Sequence, residues 1–174
     1  MKHKFIDYYM DIAELTSKLS SAIRLNVGAV IVKGNKILGT GYNGMPTGWD
    51  NNCEYKDYMS GDAGGWLDPD EIYERWPFEE YDPAVESNRR YRLVTKDEVL
   101  HAEMNCLMKV AASTESSEGA IMFCTTAPCI HCAKAIYQSG IKELVYKDTY
   151  RSEDGLMFLE KCGVKLTRLI KNDK

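Results

Sequence analysis

Two cysteines and a histidine stand close together in the segment APCIHC, where Cys129 and Cys132 flank His131. A Cys-x-x-Cys pair serves as a redox couple or as part of a metal site, and it also occurs by chance. The segment HAEMN supplies further ligand-type side chains in His101 and Glu103. The chemistry open to these residues is therefore thiol exchange or metal binding.

Both segments are predicted to begin helices, which favours metal binding. Cys129 and Cys132 are one helical turn apart, so both sulfurs can point at one ion, and a helix N-terminus favours their thiolate forms. With neutral His101 they make three zinc ligands, and a three-ligand zinc keeps its fourth position for water. Zinc lowers the pKa of that water from about 15.7 toward about 7. We predict a catalytic zinc at this site.

Glu103 is predicted to be the proton shuttle, since a carboxylate beside zinc-bound water can accept its proton and deliver protons to a substrate nitrogen and a leaving amine. The reaction would be hydrolytic deamination. Two residues two positions apart inside a regular helix point in nearly opposite directions. We therefore expect the helix to begin close to His101, although the capping-box pattern of Thr95 and Glu98 allows an earlier start.

The first elements that must position these residues are two strands and a preceding helix. VGAVIV at 27–32 and KILGTGY at 36–42 flank Gly34 and Asn35, which tolerate positive φ, so an antiparallel hairpin is expected. Helical spacing predicts an amphipathic helix that covers one face of the sheet; its apolar positions are Ile6, Tyr9, Met10, Ala13 and Ser17.

After residue 119 the pattern alternates strand, helix, strand, helix, strand, with Gly140 and Gly163 placed as helix stops. Such units imply parallel strands joined by right-handed crossovers. The helix that starts at HAEMN is predicted to bury one stripe, composed of Met104, Leu107, Met108 and Ala111.

Composition favours one globular domain with a small-molecule ligand. The chain has 174 residues, 44% of them hydrophobic, and an insert at about 49–100 that contains all three tryptophans is expected to be a partly ordered elaboration. The net charge of −4 gives no general attraction to nucleic acid or to a membrane surface. Without an apolar leader or a long apolar run we expect a cytoplasmic protein.

Several other side chains receive a structural interpretation. Cys106, Cys124 and Cys162 fall in helix or strand patterns, so we expect small buried hydrophobes. The basic cluster NRRYR is expected to be a solvated face that balances the acidic insert; it contains Arg89, Arg90 and Arg92.

The pattern H-x-E…P-C-x-x-C is the signature of zinc nucleobase deaminases. Together with RLNVGAVIV, GTGYNGMPTG and TTAPCIHCAKAIYQSGIKELVY, it resembles the deoxycytidylate deaminases of the cytidine deaminase superfamily, over about residues 24–48 and 101–170. The resemblance implies a three-layer α/β/α fold with a five-stranded mixed sheet. It also implies conversion of dCMP to dUMP and ammonia by a homohexamer that dCTP activates and dTTP inhibits, with one zinc per subunit and Mg²⁺ accompanying the effector triphosphate.

The resemblance also assigns roles by position. His101, Cys129 and Cys132 would hold zinc and Glu103 would move protons. Asn43 would bind the sugar hydroxyl of the substrate, and Asn26, at the corresponding edge of the first strand, would also contact the substrate. Ala127 and Pro128 would lie at the departing amine, and Tyr150 and Arg151 would form a closing loop. The regulatory nucleotide would meet the GMPTG loop, which is Gly44, Met45, Pro46, Thr47 and Gly48. Some relatives carry a second, structural zinc, but only Cys53 is available between 49 and 100 here, so we do not predict that metal.

Three other functions stay open. A related deaminase would act on free cytidine, guanine or tRNA adenosine, because zinc chemistry alone does not identify the base. A thiol-disulfide oxidoreductase would use Cys129 and Cys132 as its exchanging pair but leaves His101 and Glu103 unexplained. A zinc-stabilised interaction module would need a fourth protein ligand, for which His131 is the nearby candidate. Asn43 also has a structural interpretation, since asparagine suits the turn after a strand.

Overall fold

The computed structural model describes residues 1–60, 65 and 67–170; positions 61–64 and 66 of the insert, including Trp66, and 171–174 lie outside the described residues. Five helices and eight strands follow one another along these residues: α1 His3–Ser17, β1 Gly28–Lys33, β2 Lys36–Tyr42, β3 Glu54–Tyr58, α2 Pro69–Arg75, β4 Phe78–Asp82, β5 Ser87–Thr95, α3 Ala102–Ala111, β6 Ile121–Thr126, α4 Ile130–Gln138, β7 Glu143–Asp148, α5 Asp154–Lys161 and β8 Lys165–Arg168. No helix of the described residues is long and apolar enough to cross a membrane.

The main sheet has five strands in the order β2-β1-β6-β7-β8. Strand β1 is antiparallel to both β2 and β6, whereas β7 is parallel to β6 and to β8. The predicted hairpin joins β1 to β2, with φ of 55° at Gly34 and 65° at Asn35. The five-stranded mixed sheet and its parallel half are therefore confirmed.

Helices cover both faces of this sheet, as the predicted three-layer α/β/α fold requires. Side chains alternate along β1, so Ile31 packs on the face that holds α3, α4 and α5, while Val30 packs on the face covered by α1. Helix α1 buries Tyr9, Met10 and Ala13 as expected, but its last buried residue is Thr16 rather than Ser17.

The predicted buried stripe of α3 is confirmed only at Leu107; Met104 is half-buried, and Met108 and Ala111 are exposed. The buried residues are Ala102, Glu103, Cys106, Leu107 and Val110, whereas Met108 is 54% exposed. The helix approaches β2 closely, because a methyl group added at Gly41 would lie 2.3 Å from the carbonyl oxygen of Ala102. A buried carboxylate at Glu103 concealed this face from a pattern that counts only apolar residues. Cys106 and Cys124 are buried as expected, while Cys162 is only half-buried.

The insert forms a second sheet of three antiparallel strands in the order β3-β5-β4, so it is more regular than the sequence predicts. Its basic residues are paired as expected for a solvated face: Arg89 with Asp82, Arg90 with Glu79 and Arg92 with Asp57. Residues 96–100 connect β5 directly to α3. This connection brings the base of the insert, which is Glu54, Val94 and Thr95, beside the predicted metal site.

Candidate active site

The predicted zinc ligands lie at the beginnings of two helices. His101 is the residue before α3 and has extended backbone angles, φ −70° and ψ 150°, as predicted from the geometry that it must share with Glu103. Cys129 holds the same position before α4, and Cys132 lies in the first turn of that helix. The earlier helix start that Thr95 and Glu98 would allow is not used.

The three ligand atoms lie at distances that suit one zinc ion. His101 Nδ1 is 3.6 Å from Cys129 Sγ and 3.4 Å from Cys132 Sγ, and all three atoms lie within 4.8 Å of one another. Tetrahedral zinc, with Zn–S of about 2.3 Å and Zn–N of about 2.0 Å, separates sulfur and nitrogen ligands by about 3.5 Å. The donor set fits zinc, and it is the one such cluster found among the described residues.

The two cysteines differ in acidity. The Cys132 thiol and the nearby His101 lower the pKa of Cys129 to about 3. The neighbouring Cys129 sulfur and burial raise the pKa of Cys132 well above its usual range. Zinc binds cysteine as the thiolate, so binding through both sulfurs would have to displace the Cys132 proton.

Glu103 is almost completely buried, with 4% of its surface exposed, yet it borders the cavity beside His101. Burial raises the pKa of its carboxyl, and the neighbouring His101 opposes that rise. The Cys129 sulfur, by accepting a hydrogen bond, raises the pKa of His101. A carboxyl that takes up a proton more readily than usual suits a general acid–base role.

A cavity of about 660 Å³ opens beside these residues and is bordered by His101, Glu103 and Cys129. This volume suits a small ligand. Its wall also includes three cationic side chains that come from distant segments, Arg24, Lys96 and Arg151. Sequence reasoning gave no role to Arg24 or Lys96, because nothing in either local segment indicates that the two meet.

The two asparagines predicted to contact the substrate differ in their position relative to the cavity. Asn43 borders the cavity, but its amide holds the main chain: Oδ1 accepts from Val27 N at 2.7 Å and Nδ2 donates to the Leu25 carbonyl at 2.8 Å. Asn26 does not border the cavity; its side chain donates to the carbonyls of Ser20 and Ala22. Both asparagines fix the segment between α1 and β1, so the structural interpretation accounts for their positions.

The predicted residues after β6 and β7 are divided in the same way. Ala127 borders the cavity, whereas Pro128 is fully buried against α5 and does not. Tyr150 and Arg151 both border the cavity, and the Arg151 guanidinium lies 5.5 Å from the centre of the Tyr150 ring. Arg151 borders the same cavity as His101 and Cys129, and its charge opposes the rise in the pKa of His101.

The predicted regulatory loop, residues 44–48, does not border the cavity, but it is hydrogen-bonded to the segment that leads into His101. Gly44 exchanges two backbone hydrogen bonds with Leu100, the residue before His101, at 3.1 and 2.9 Å. Met45 packs on a small apolar cluster of Ala22, Cys53 and Val99. Cys53, the one cysteine between positions 49 and 100, therefore lies in this apolar cluster.

An α/β/α fold with a histidine and two cysteines at adjoining helix starts defines the class of zinc-dependent deaminases. The chain belongs to the family of the cytidine and deoxycytidylate deaminase zinc-binding region, whose model matches residues 3–148. It is 37% identical over 152 residues to deoxycytidylate deaminase of Enterobacteria phage T4, covering 81% of this chain and 76% of that protein. It is 32% identical over 152 residues to the Homo sapiens deoxycytidylate deaminase, covering 85% and 67%.

A similar fold has been solved as the dCMP deaminase of the cyanophage S-TIM5 in complex with dCMP and dUMP. The TM-score is 0.73 and the identity 34%, and the match covers 97% of this chain and 99% of that one. The resemblance predicted from the motifs is therefore confirmed, as is the prediction that the protein is a deaminase.

Proposed function

We propose that the protein catalyses the zinc-dependent hydrolytic deamination of dCMP to dUMP and ammonia. The observation that carries this proposal is the convergence of His101, Cys129 and Cys132 to zinc-ligand distances beside the buried carboxyl of Glu103. Relatives named deoxycytidylate deaminase, and a structural relative that holds dCMP and dUMP, support the choice of substrate.

In the proposed mechanism, bound zinc makes hydroxide available at neutral pH. Glu103 accepts the proton released from the attacking water and passes it to N3 of the cytosine ring as the C4–O bond forms. The same carboxylate then takes the proton of the new C4 hydroxyl and delivers it to the amine, the C4–N bond breaks as the C4 carbonyl forms, and ammonia leaves. The raised pKa of Glu103 suits a group that must both take and give a proton.

The cations at the cavity favour a nucleotide over a nucleoside. Arg24 and Arg151 border the cavity, and no described carboxylate lies within salt-bridge distance of either guanidinium. Guanidinium groups bind phosphate through paired hydrogen bonds. We therefore assign the 5′-phosphate of dCMP to Arg24, with Arg151 and Tyr150 closing over the substrate.

The test is to measure zinc content and activity toward dCMP, deoxycytidine, cytidine, guanine and tRNA adenosine on one preparation. We expect one zinc per chain and the highest kcat/KM for dCMP. Glu103→Gln should keep its zinc and lose at least about 100-fold in kcat, since it removes a general acid–base. Full activity in that variant would contradict the mechanism.

Thiol-disulfide exchange is the one alternative that a specific observation favours, because the low pKa of Cys129 is typical of oxidoreductases. It gives no task to the buried carboxyl of Glu103. An interaction module has less support: His131 is exposed and is not part of the ligand cluster. Measuring zinc in His131→Ala separates that module, which would lose its metal, from the deaminase, which would keep it.

Regulation by dCTP and dTTP, the former accompanied by Mg²⁺, is proposed for the loop of residues 44–48 in a homohexamer. The hydrogen bonds between Gly44 and Leu100 support this, since Leu100 adjoins a zinc ligand. Sigmoidal dCMP kinetics that become hyperbolic with dCTP are expected. Hyperbolic kinetics that neither triphosphate changes would contradict regulation while leaving the deaminase proposal intact. We also propose a cytoplasmic location.

A further inference from the structure

Arg24 lies in an irregular segment between α1 and β1, and a carboxylate from the insert holds its backbone. Glu54 Oε1 accepts hydrogen bonds from Ile23 N at 3.0 Å and from Arg24 N at 3.2 Å. Two successive N–H groups directed at one anion form a strong, fixed arrangement. Glu54 begins β3 and is only 4% exposed.

The side chain of Arg24 is held by the opposite strand of the same sheet. Its Nη1 donates to Thr95 Oγ1 at 3.1 Å, and Thr95 is the register partner of Glu54 across β3 and β5. A single cross-strand pair therefore fixes both the backbone and the guanidinium of Arg24. All three residues border the cavity.

The Glu54–Thr95 pair is held in place by the packing of the neighbouring residue Cys53. Cys53, the residue before Glu54, is 1% exposed and packs with Ala22 and Val99, and its carbonyl accepts from Lys96 N at 2.9 Å. Val99 lies two residues before His101. The cluster thus joins the Arg24 segment, the insert and the zinc-ligand segment at one point.

Stability alone does not account for a carboxylate at position 54. Glu54 Oε2 is buried, and among the described residues no donor reaches it. A buried acceptor without a partner is costly, and sequences usually tolerate such costs where function requires the group.

We propose that Glu54 and Thr95 are positioning residues that hold Arg24 for the substrate phosphate, which makes the base of the insert a determinant of selectivity for a nucleoside monophosphate over the nucleoside. This role rests on the proposed function, because it needs a phosphate at Arg24. Neither residue acts on the cytosine ring in this role, so deamination of the free nucleoside should not depend on either of them.

The test compares kcat/KM for dCMP and deoxycytidine in zinc-loaded enzyme. Thr95→Val removes only the hydroxyl that accepts from Arg24, and we expect about a 5- to 10-fold loss with dCMP, mostly in KM, as for the loss of one solvent-exposed hydrogen bond. Glu54→Ala should lose more with dCMP, whereas Glu54→Gln, which retains an acceptor for the two N–H groups, should recover most of that loss. All three should deaminate deoxycytidine as the wild type does. Asp57→Asn is the matched control, since it breaks the Asp57–Arg92 pair in the same two strands without touching Arg24.

A double-mutant cycle tests whether the effect passes through Arg24. Once Arg24→Ala has removed the guanidinium, Thr95→Val should cost nothing further with dCMP. Additive losses, or equal losses with both substrates in folded and zinc-loaded variants, would overturn the positioning role. If Arg24→Ala loses dCMP selectivity but Glu54→Ala and Thr95→Val do not, only this inference fails. A wild-type enzyme that does not distinguish dCMP from deoxycytidine contradicts the proposed function as well.

Discussion

Glu103 shows how burial and catalysis oppose each other at one residue. It lies on the buried face of α3, 4% exposed, and burial raises the pKa of its carboxyl. An acid with a raised folded pKa keeps a proton that the unfolded chain releases. The unfolding free energy therefore falls as pH rises above the unfolded pKa, near 4.5, and the fall continues until the folded pKa is passed.

Replacing Glu103 with glutamine should therefore stabilise the zinc-free protein, and increasingly so as pH rises. Glutamine stays neutral, so it removes the cost of a buried carboxyl whose ionisation the fold opposes. Urea unfolding of wild type and Glu103→Gln at pH 4 and pH 8 measures the difference. Glu98→Gln, at an exposed glutamate four residues before α3 begins at Ala102, is the control and should show no such trend. A pH-independent difference for Glu103→Gln would contradict the account.

Local motifs predicted the metal ligands and Glu103, because the spacing of a helical turn and the start of a helix fix these side chains relative to one another. They did not predict the cationic side chains of the cavity wall, since Arg24 and Lys96 lie far apart in sequence and border the same cavity only in the folded protein. Asn26 lies at the strand edge that the pattern indicates, and its amide donates to the carbonyls of Ser20 and Ala22, a pair of contacts that the local sequence does not predict.

Among the elements, the contact between α3 and β2 determines where His101 and Glu103 lie. Added methyl groups at Gly41 would lie 2.3 Å from Ala102 O and 2.5 Å from Cys106 N, both backbone atoms that cannot rotate away. At Gly39 the nearest atom is Val110 Cγ2 at 3.0 Å, which belongs to a side chain that can adjust. Both glycines lie on β2 and face α3, but only Gly41 faces the beginning of that helix.

We expect Gly41→Ala to lower the unfolding free energy by about 3 kcal/mol, the upper range for overpacking, and to displace the start of α3. Zinc affinity and kcat should fall together, because His101 and Glu103 move with that helix end. Gly39→Ala should cost about 1 kcal/mol or less and leave zinc affinity unchanged. Denaturant unfolding and competition with a zinc chelator measure both effects; equal effects of the two substitutions would exclude a special role for Gly41.

Sequence periodicity predicted most elements of the main sheet. Of the predicted buried face of α3, only Leu107 is buried. The parallel half is readable because strands and helices alternate and Gly140 and Gly163, at φ 80° and 76°, end the helices. The buried face of α3 cannot be predicted from the helix sequence alone. It depends on β2, whose glycines leave room for Cys106, and it includes the polar residue Glu103.

At the scale of the molecule, the insert divides into a base that borders the cavity and an outer part that does not. Glu54, Val94 and Thr95 border the cavity, whereas no described residue from 58 to 92 is fully buried. The outer strand β4 pairs with β5, and the side chains of both strands are exposed or half-buried along this pairing. Composition predicted that the insert is an elaboration of a single domain, and this stays a prediction. It did not predict that the base of the insert borders the cavity, because local sequence does not reveal a contact with a distant loop.

Shortening the insert is the experiment that separates base from outer part. Lys96 N donates to Cys53 O and Met59 N donates to Arg90 O, so the alternation of an antiparallel ladder makes Asp57 and Arg92 a hydrogen-bonded pair. A two-residue Asn-Gly turn between them closes such a pair and replaces residues 58–91.

We expect this shortened protein to fold, bind zinc and keep its preference for dCMP over deoxycytidine within about threefold, a change of roughly 0.6 kcal/mol. The reason is that Glu54 and Thr95 still hold Arg24, while the removed residues contribute few buried contacts. Adding Thr95→Val to the shortened protein should reduce the preference as it does in the full chain, which shows that the remaining strands still act through Arg24. Zinc content, a thermal unfolding curve and kcat/KM for both substrates check this. A folded, zinc-loaded short form that has lost its preference for dCMP would place the selectivity in the outer strands instead.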